Sequence, residues 1–323
     1  MIDPKDTFLV RVVRRTLEAE DIVSFELESI DGETLPHFEP GAHVDVHAPG
    51  GFVRQYSLCN SASESGRYMV AILRDPSSRG GSVAMHGKVK LGDVLQISAP
   101  RNHFPLHPGS GHSLLFAGGI GVTPVLCMAH ELHRQGRPFT LNYCARSKSR
   151  MAFYDEISES AWADNVHFYF DDCAGERPFD IESILGSASP DTHLYICGPQ
   201  GYMDAVLGKA RASGWASDRL HYEYFKAEVV SKDTDAAFEV KIASTGTVLT
   251  IPADKSIATV LGERGFNVSL SCEQGICGTC VTRVLSGVPD HRDSYLLEHE
   301  REANDQMMLC CSRSKTPQLI LDL

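Results

Sequence analysis

No apolar run in this chain is long enough to span a bilayer. The opening residues Met1, Ile2, Asp3 and Pro4 lack the apolar core of a secretory signal. Both absences lead us to expect a cytoplasmic protein with no membrane association. Basic charge is also in short supply. Thirty Lys and Arg stand against 42 Asp and Glu, a formal charge of −12, which argues against generic nucleic-acid binding. No internal repeat or low-complexity tract stands out, and 323 residues suit two or three domains of ordinary size. The paired spacing of structural zinc, two short Cys or His pairs, is missing as well. A disulfide lattice suits a small secreted chain, so the ten cysteines point to metal or reduced thiols.

What the chain does have is a thiol-rich loop, Cys272-Glu-Gln-Gly-Ile-Cys277-Gly-Thr-Cys280, with Cys310 returning from afar. This is the C-x₄-C-x₂-C…C spacing of a plant-type [2Fe–2S] cluster. Four thiolates must converge on two irons, and a tight loop can supply only three of them. Gly275 and Gly278 let backbone N–H groups turn toward the sulfurs without a Cβ clash, and such hydrogen bonds help set the cluster potential. Cys311 follows Cys310 directly, and spacing alone does not separate these neighbours.

The rest reads as two further domains and a linker. Residues 5–108 carry short alternating stretches, for example Val23, Phe25 and Leu27 against Ser24 and Glu26. Turn signals such as Asp31-Gly32 and Pro49-Gly50-Gly51 separate them, which predicts a small antiparallel β-barrel. Two motifs sit on it. In Arg54, Gln55, Tyr56 and Ser57 an arginine can pair with phosphate, a tyrosine can stack on a flat ring, and a serine can meet a ring nitrogen. In Arg79, Gly80, Gly81 and Ser82, glycines and a hydroxyl at a helix start suit an anion. Residues 109–226 alternate strand and helix, which predicts a parallel sheet. The apolar run from Ser113 to Ala117 leads into Gly118-Gly-Ile-Gly121-Val-Thr-Pro124, a glycine turn where a pyrophosphate can rest on a helix N-terminus. Cys197, Gly198 and Pro199 end another strand at the same edge. Residues 227–235 are polar and read as a linker. In residues 236–323, Phe238, Val240 and Ile242 start a strand that Thr247 to Ile251 would pair with. A short helix is expected at 256–264 and a closing strand at 319–323.

Arg54-x-Tyr56-Ser57, Gly80-Gly81-Ser82, the 118–124 turn, Cys197-Gly-Pro199 and Glu223-x-Phe225, in this order, resemble the ferredoxin–NADP⁺ reductase superfamily. With a plant-type ferredoxin at the C-terminus, the chain is similar over essentially its whole length to the phthalate dioxygenase reductase family. The likeness includes Asp290-His-Arg-Asp293 and Cys310-x-Ser312-Arg313. The resemblance implies a flavin-binding barrel, a nucleotide-binding α/β domain and a β-grasp ferredoxin domain. It implies cluster ligands Cys272, Cys277, Cys280 and Cys310, because the fourth ligand precedes x-S-R in the family; Cys311 departs from the pattern. FMN would lie against Arg54, Gln55, Tyr56 and Ser57, with Ile72, Leu73 and the loop Arg79, Gly80, Gly81 and Ser82 completing its site. The nicotinamide nucleotide would meet Gly119, Gly121, Thr123 and Pro124, then Asp171, Cys197, Gly198 and Pro199. Ser57, Thr123, Cys197 and Phe225 would surround the reacting rings, with Phe225 closing over the flavin.

These readings converge on an NADH-dependent iron–sulfur flavoprotein reductase whose acceptor is a separate Rieske-type oxygenase component. NADH delivers two electrons at once and a cluster takes one, so a flavin between them makes chemical sense. No 2-His-1-carboxylate iron site of an oxygenase is evident. A stand-alone diaphorase would not need the cluster, and a redox sensor would not need two nucleotide sites. FMN is expected because no adenine platform is evident. NADH is expected because Asp171 and Asp172 end a strand where a ribose would lie and would repel a 2′-phosphate. The basic turn Arg146, Lys148 and Arg150 argues the other way.

Overall fold

The computed structural model describes residues 7–78, 80–109, 111–172, 178–225, 235–270, 272–296 and 298–323. The chain divides into two compact units, Asp3–Phe225 and one made chiefly of Lys226–Leu323. All but the last residue of the expected linker lies outside the described residues.

The first unit holds two sheets. The first comprises β1 (Thr7–Ala19), β2 (Ile22–Ser29), β3 (Ala42–Ala48), β4 (Phe52–Ser57), β5 (Arg67–Leu73), β6 (Val94–Ser98) and the short β7 (Arg101–Asn102). Its order is β4-β3-β6-β1-β2-β5, with β7 beside β3. Each pairing is antiparallel. A bridge between Leu58 and Val70 ties the two outermost strands, so the sheet is a nearly closed barrel with little open edge. Val23, Phe25 and Leu27 of β2 are buried as their alternation predicts. Burial of each such side chain stabilises by roughly 1.5–3 kcal/mol. A one-residue slip would turn all three outward, so burial sets the register. β1 serves both β2 and β6, and two register shifts against β2, at Val12/Arg14 and Leu17/Ala19, bend it to do so. The helix α1 (Gly81–Lys88) follows the glycine pair.

The second sheet comprises β8 (Ser113–Gly118), β9 (Phe139–Ala145), β10 (Val166–Phe170), β11 (His193–Cys197) and β12 (Leu220–Glu223), all parallel. Helices α2 (Val122–Arg134), α3 (Tyr154–Ser158), α4 (Ile181–Gly186) and α5 (Gln200–Ala212) lie between them in sequence. The order β10-β9-β8-β11-β12 means that winding reverses between β8 and β11. Crevices open at the carboxyl ends of strands at such a point. Every residue of β8 is buried, as its unbroken apolar run requires. Val125, Met128, Ala129 and Leu132 of α2 are buried, and so are Leu126 and Cys127 outside that stripe, because Cys127 packs into the barrel core.

The second unit comprises β13 (Phe238–Ile242), β14 (Val248–Ile251), α6 (Ile257–Glu263), β15 (Val281–Ser286), β16 (Pro289–Asp290), α7 (Glu298–Ala303), β17 (Gln306–Met308), β18 (Arg313–Ser314) and β19 (Gln318–Leu321). The main sheet runs β14-β13-β19-β15-β17, and β16 pairs with β18. β13 and β19 are parallel, and the other pairs of the main sheet are antiparallel. The Ser256 hydroxyl caps α6 by accepting the Thr259 amide at 3.1 Å. Phe238, Val240, Ile242, Ile257, Leu261 and Leu319 share one buried core. The sequence pattern does not predict β15 or β17. Only Val284 of β15 is buried, so it shows no alternation to read. Among the described residues, no helix is long and apolar enough to cross a membrane.

Candidate active site and thiol loop

The crevice between β8 and β11 is built by backbone meeting backbone. A Cβ on Gly121 would stand 2.3 Å from the Cys197 carbonyl oxygen and 2.6 Å from the Gly198 nitrogen. Gly121 has the ordinary helical φ of −62°, so close approach and not conformation requires glycine there. A Cβ on Gly198 would meet the Gly118 Cα at 3.0 Å. Both loops thus converge at one place, with α2 and α5 beginning beside it. Pro124 sits in the first turn of α2, where no N–H is needed. Pro199 immediately precedes α5. Thr123 is buried and donates to the Ile120 carbonyl at 3.1 Å, which closes the turn.

Cys197 is fully buried, and burial first, then Glu223, pushes its thiol well above the usual range. It is an uncharged thiol, not a nucleophile. Glu223 lies beside it across the β11–β12 register. Burial raises the Glu223 carboxyl to about 8, with Ser57 acting in the opposite sense. It therefore holds a proton at neutral pH. Ser57 Oγ donates to Glu223 Oε2 at 3.5 Å. His43 Nδ1 lies 3.9 Å from Glu223 Oε1, and Gln55 Nε2 lies 3.3 Å from His43 Nε2. Burial holds His43 neutral, lowering it to about 3. The barrel and the parallel sheet thus share a half-buried, proton-holding group next to Ser57. Phe225 packs half-buried against the cluster that contains Val122 and Cys197. Neither the role of Glu223 nor that of His43 is legible in the sequence; a carboxylate ending the short strand β12 is the available signal.

On the barrel, Arg54 and the glycine pair are in contact. A Cβ on Gly81 would stand 2.7 Å from Arg54 Cγ, and one on Gly80 would stand 2.9 Å from Phe52 Cζ. The Arg54 guanidinium lies over the Phe52 ring at 5.5 Å. Arginine and the N-terminus of α1 therefore sit together, a fit for a phosphate. Tyr56 Oη is buried with no hydrogen-bond partner among the described residues, and burial raises its pKa. A ligand atom would satisfy it. Ser82 Oγ accepts the Asp75 amide at 3.2 Å and meets Ser78 Oγ at 3.1 Å, so it also fastens its own loop. Ile72 points into the barrel core, its carbonyl meeting His86 Nε2 at 2.8 Å. Leu73 is half-buried. Arg79 lies outside the described residues.

At the β10 end, the amides of Asp171 and Asp172 donate to the Ala145 and Arg146 carbonyls at 3.2 Å each. Two of the three basic side chains of the turn, Lys148 and Arg150, are engaged elsewhere, and Arg146 is exposed. Lys148 Nζ lies 4.0 Å from the Tyr154 ring centroid, and Arg150 pairs with Glu20 at 2.6 Å.

The second unit gathers the thiols. Cys272, Cys277, Cys280 and Cys310 are all buried, and no disulfide joins the described cysteines. The Cys277 and Cys310 thiols lie near enough to Cys272 to act on its ionisation, and Cys310 acts likewise on Cys280. Those thiols, with the Gln274 and Ile276 amides, draw Cys272 toward the thiolate. The Gln274 N–H donates to Cys272 Sγ at 3.3 Å. Gly275 and Gly278 both have φ of +74°, which favours glycine. A Cβ on Gly278 would strike the Tyr295 ring at 2.3 Å. Four convergent sulfurs with inward amides fit a [2Fe–2S] cluster, which would be held by Cys272, Cys277, Cys280 and Cys310.

Comparison with known proteins agrees. Residues 240–315 match the family of the 2Fe-2S iron-sulfur cluster binding domain. The chain is 52% identical over 313 residues to a vanillate O-demethylase oxidoreductase of Pseudomonas putida, covering 97% of this chain and 98% of that one. It is 40% identical over 321 residues to the phthalate dioxygenase reductase of Burkholderia cepacia, covering 99% and 98%. A solved phthalate dioxygenase reductase, described as a modular structure for electron transfer from pyridine nucleotides to [2Fe–2S], superposes with a TM-score of 0.77. That pair is 39% identical, with 99% of this chain and 98% of that one covered.

Proposed function

This chain belongs to the family of the phthalate dioxygenase and vanillate O-demethylase reductases, and on that premise we propose that it passes electrons from NADH through FMN and a [2Fe–2S] cluster to a separate Rieske-type oxygenase component. The observation that carries the reading is the pairing, in one chain, of four converging thiols with a strand-end crevice lined by glycine backbone. FMN, when bound, accepts two electrons from NADH and releases them singly. The residues of the chain do the rest. The Gly121–Cys197 contact shapes a seat for the nicotinamide, and hydride transfer needs that positioning and no nucleophile. Glu223 and Ser57 hold a proton at the flavin edge of the crevice. Arg54 and the start of α1 receive one terminal phosphate, which favours FMN.

NADH is favoured over NADPH because Arg150 is bound to Glu20 and Lys148 rests on Tyr154. Asp171 and Asp172 stand at the neighbouring strand end and would repel a further phosphate. The deciding experiment is NADH oxidation with and without an added Rieske oxygenase component. Coupled, oxygenase-dependent turnover is expected. Equal rates with and without that component would instead indicate a diaphorase. Chromatography of heat-released flavin and kcat/KM with each nucleotide decide the cofactors, and FAD or a preference for NADPH would refute those assignments.

A further inference from the structure

Two short motifs, Asp290-His-Arg-Asp293 and Ser312-Arg313, have no part in the ligand set or in the proposed electron path. The second follows closely on Cys310. Strands β16 and β18 bring the two together, pairing Asp290 with Arg313. The Ser312 hydroxyl lies between them, accepting the Arg292 N–H at 3.3 Å and donating to Asp293 Oδ1 at 3.4 Å. Asp293 is buried, and its Oδ2 accepts the Tyr295 N–H at 3.2 Å and the Leu296 N–H at 2.8 Å. Arg301 answers the charge, with Nη2 3.8 Å from Oδ2 and donating to the Asp293 carbonyl at 2.7 Å. His291 Nδ1 stands 3.7 Å from Oδ1. One carboxylate therefore fastens the turn behind Cys310 to the turn that carries Tyr295.

The turn that carries Tyr295 lies along the thiol loop. The Ser294 N–H donates to the Gly275 carbonyl at 2.9 Å. A Cβ on Gly275 would stand 3.0 Å from the Asp293 Cα, and one on Gly278 would stand 2.3 Å from Tyr295 Cζ. The Tyr295 ring is half-buried and packs on the core that holds Cys280 and Cys310. Its contact with Gly278 falls between the ligand positions Cys277 and Cys280. Hydrogen bonds to a charged acceptor are roughly twice as strong as neutral ones, so Asp293 is a firm anchor for this cover. We propose that Asp293 and Tyr295 are positioning residues of the cluster site: the carboxylate locks the tyrosine ring over Gly278 and fixes the turn behind Cys310, and the ring keeps water from the thiol loop. Reduction adds negative charge, which water stabilises, so excluding water holds the midpoint potential low. The inference rests on the reading of the loop as a [2Fe–2S] site.

The test uses the full-length holoprotein. Redox titration followed by electron paramagnetic resonance, and iron release to an added chelator, compare wild type with Asp293→Ala, Asp293→Asn, Tyr295→Ala and Tyr295→Phe. Both alanine variants should shift the midpoint potential to a more positive value and release iron at least about tenfold faster, the worth of one hydrogen bond to a charged group. Asp293→Asn keeps an acceptor for the two amides and should recover most of the slow iron release. Tyr295→Phe keeps the ring and should recover most of the potential shift. Tyr295→Ala leaves every charge in place, so its shift reports water and not charge, and it decides alone if Asp293→Ala fails to assemble. A wild-type potential and release rate in Tyr295→Ala overturns the proposal, as does a shift in Tyr295→Phe equal to that in Tyr295→Ala. A wild-type holoprotein without iron overturns instead the cluster reading, and the inference with it.

Discussion

The thiol loop takes three of its four sulfurs from residues 272–280, whereas the crevice joins Ser57 to Glu223 across 166 positions of sequence. The two sites also use glycine differently. Gly275 and Gly278 both have φ of +74°, and a Cβ on either would also strike a neighbour, Cys311 Sγ or the Tyr295 ring. Gly121 has an ordinary φ and is glycine because another strand's carbonyl occupies the place of its Cβ. The loop site thus needs a left-handed backbone in addition to close packing, whereas the crevice site needs only the close approach set by which strands the sheet makes neighbours. Damage to the first should remain local, and damage to the second should reach both the barrel and the parallel sheet.

The largest separation of the two should come from Cys310→Ser. Electron delivery to an external acceptor should be abolished while NADH still bleaches the flavin in stopped flow. Full delivery in this variant, with loss in Cys311→Ser, would move the fourth ligand by one residue. The converse cut is Gly121→Ala. Its methyl group meets the Cys197 carbonyl, so overpacking should destabilise the first unit by about 1–3 kcal/mol. Flavin reduction should fall with it, and the cluster spectrum should not change. A variant of wild-type stability and rate would show that this contact is slack.

Cys197→Ala sharpens the comparison within the crevice. Positioning should suffer, with flavin reduction slowed by about tenfold to a hundredfold and turnover retained. A folded, flavin-loaded, NADH-binding variant with no turnover at all would contradict the positioning role.

Glu223 gives a pH signature that the thiol loop does not share. Its folded pKa is raised from 4.5 to about 8 by burial. The sign follows from linkage: its contribution to stability is fully present below about 4.5 and is lost as pH rises through about 8. The first unit should lose at least about 2–4 °C of Tm between pH 5 and 8, and Glu223→Gln should flatten that slope. An unchanged slope in Glu223→Gln would assign the pH dependence to other groups. The smallest effect is expected from Glu20→Gln. Freeing Arg150 should raise kcat/KM for NADPH by no more than about fivefold, the worth of one exposed ion pair.

The amino-acid sequence by itself determined the thiol loop, the alternation in β2, the buried run of β8 and the stripe of α2. Each is a local pattern, since loop spacing, a period of two and a helical period are properties of neighbouring residues. It also placed both glycine turns at strand ends. Only the tertiary structure decided that Gly121 touches Cys197, that Glu223 meets Ser57 and His43, and that Arg150 is bound to Glu20. Strand order is set by burial summed over a whole sheet, and no single stretch of chain carries that sum. The same reason explains β15, whose pattern is nearly featureless, and Cys311, whose place beside Gly275 comes from packing of the second unit and not from its spacing.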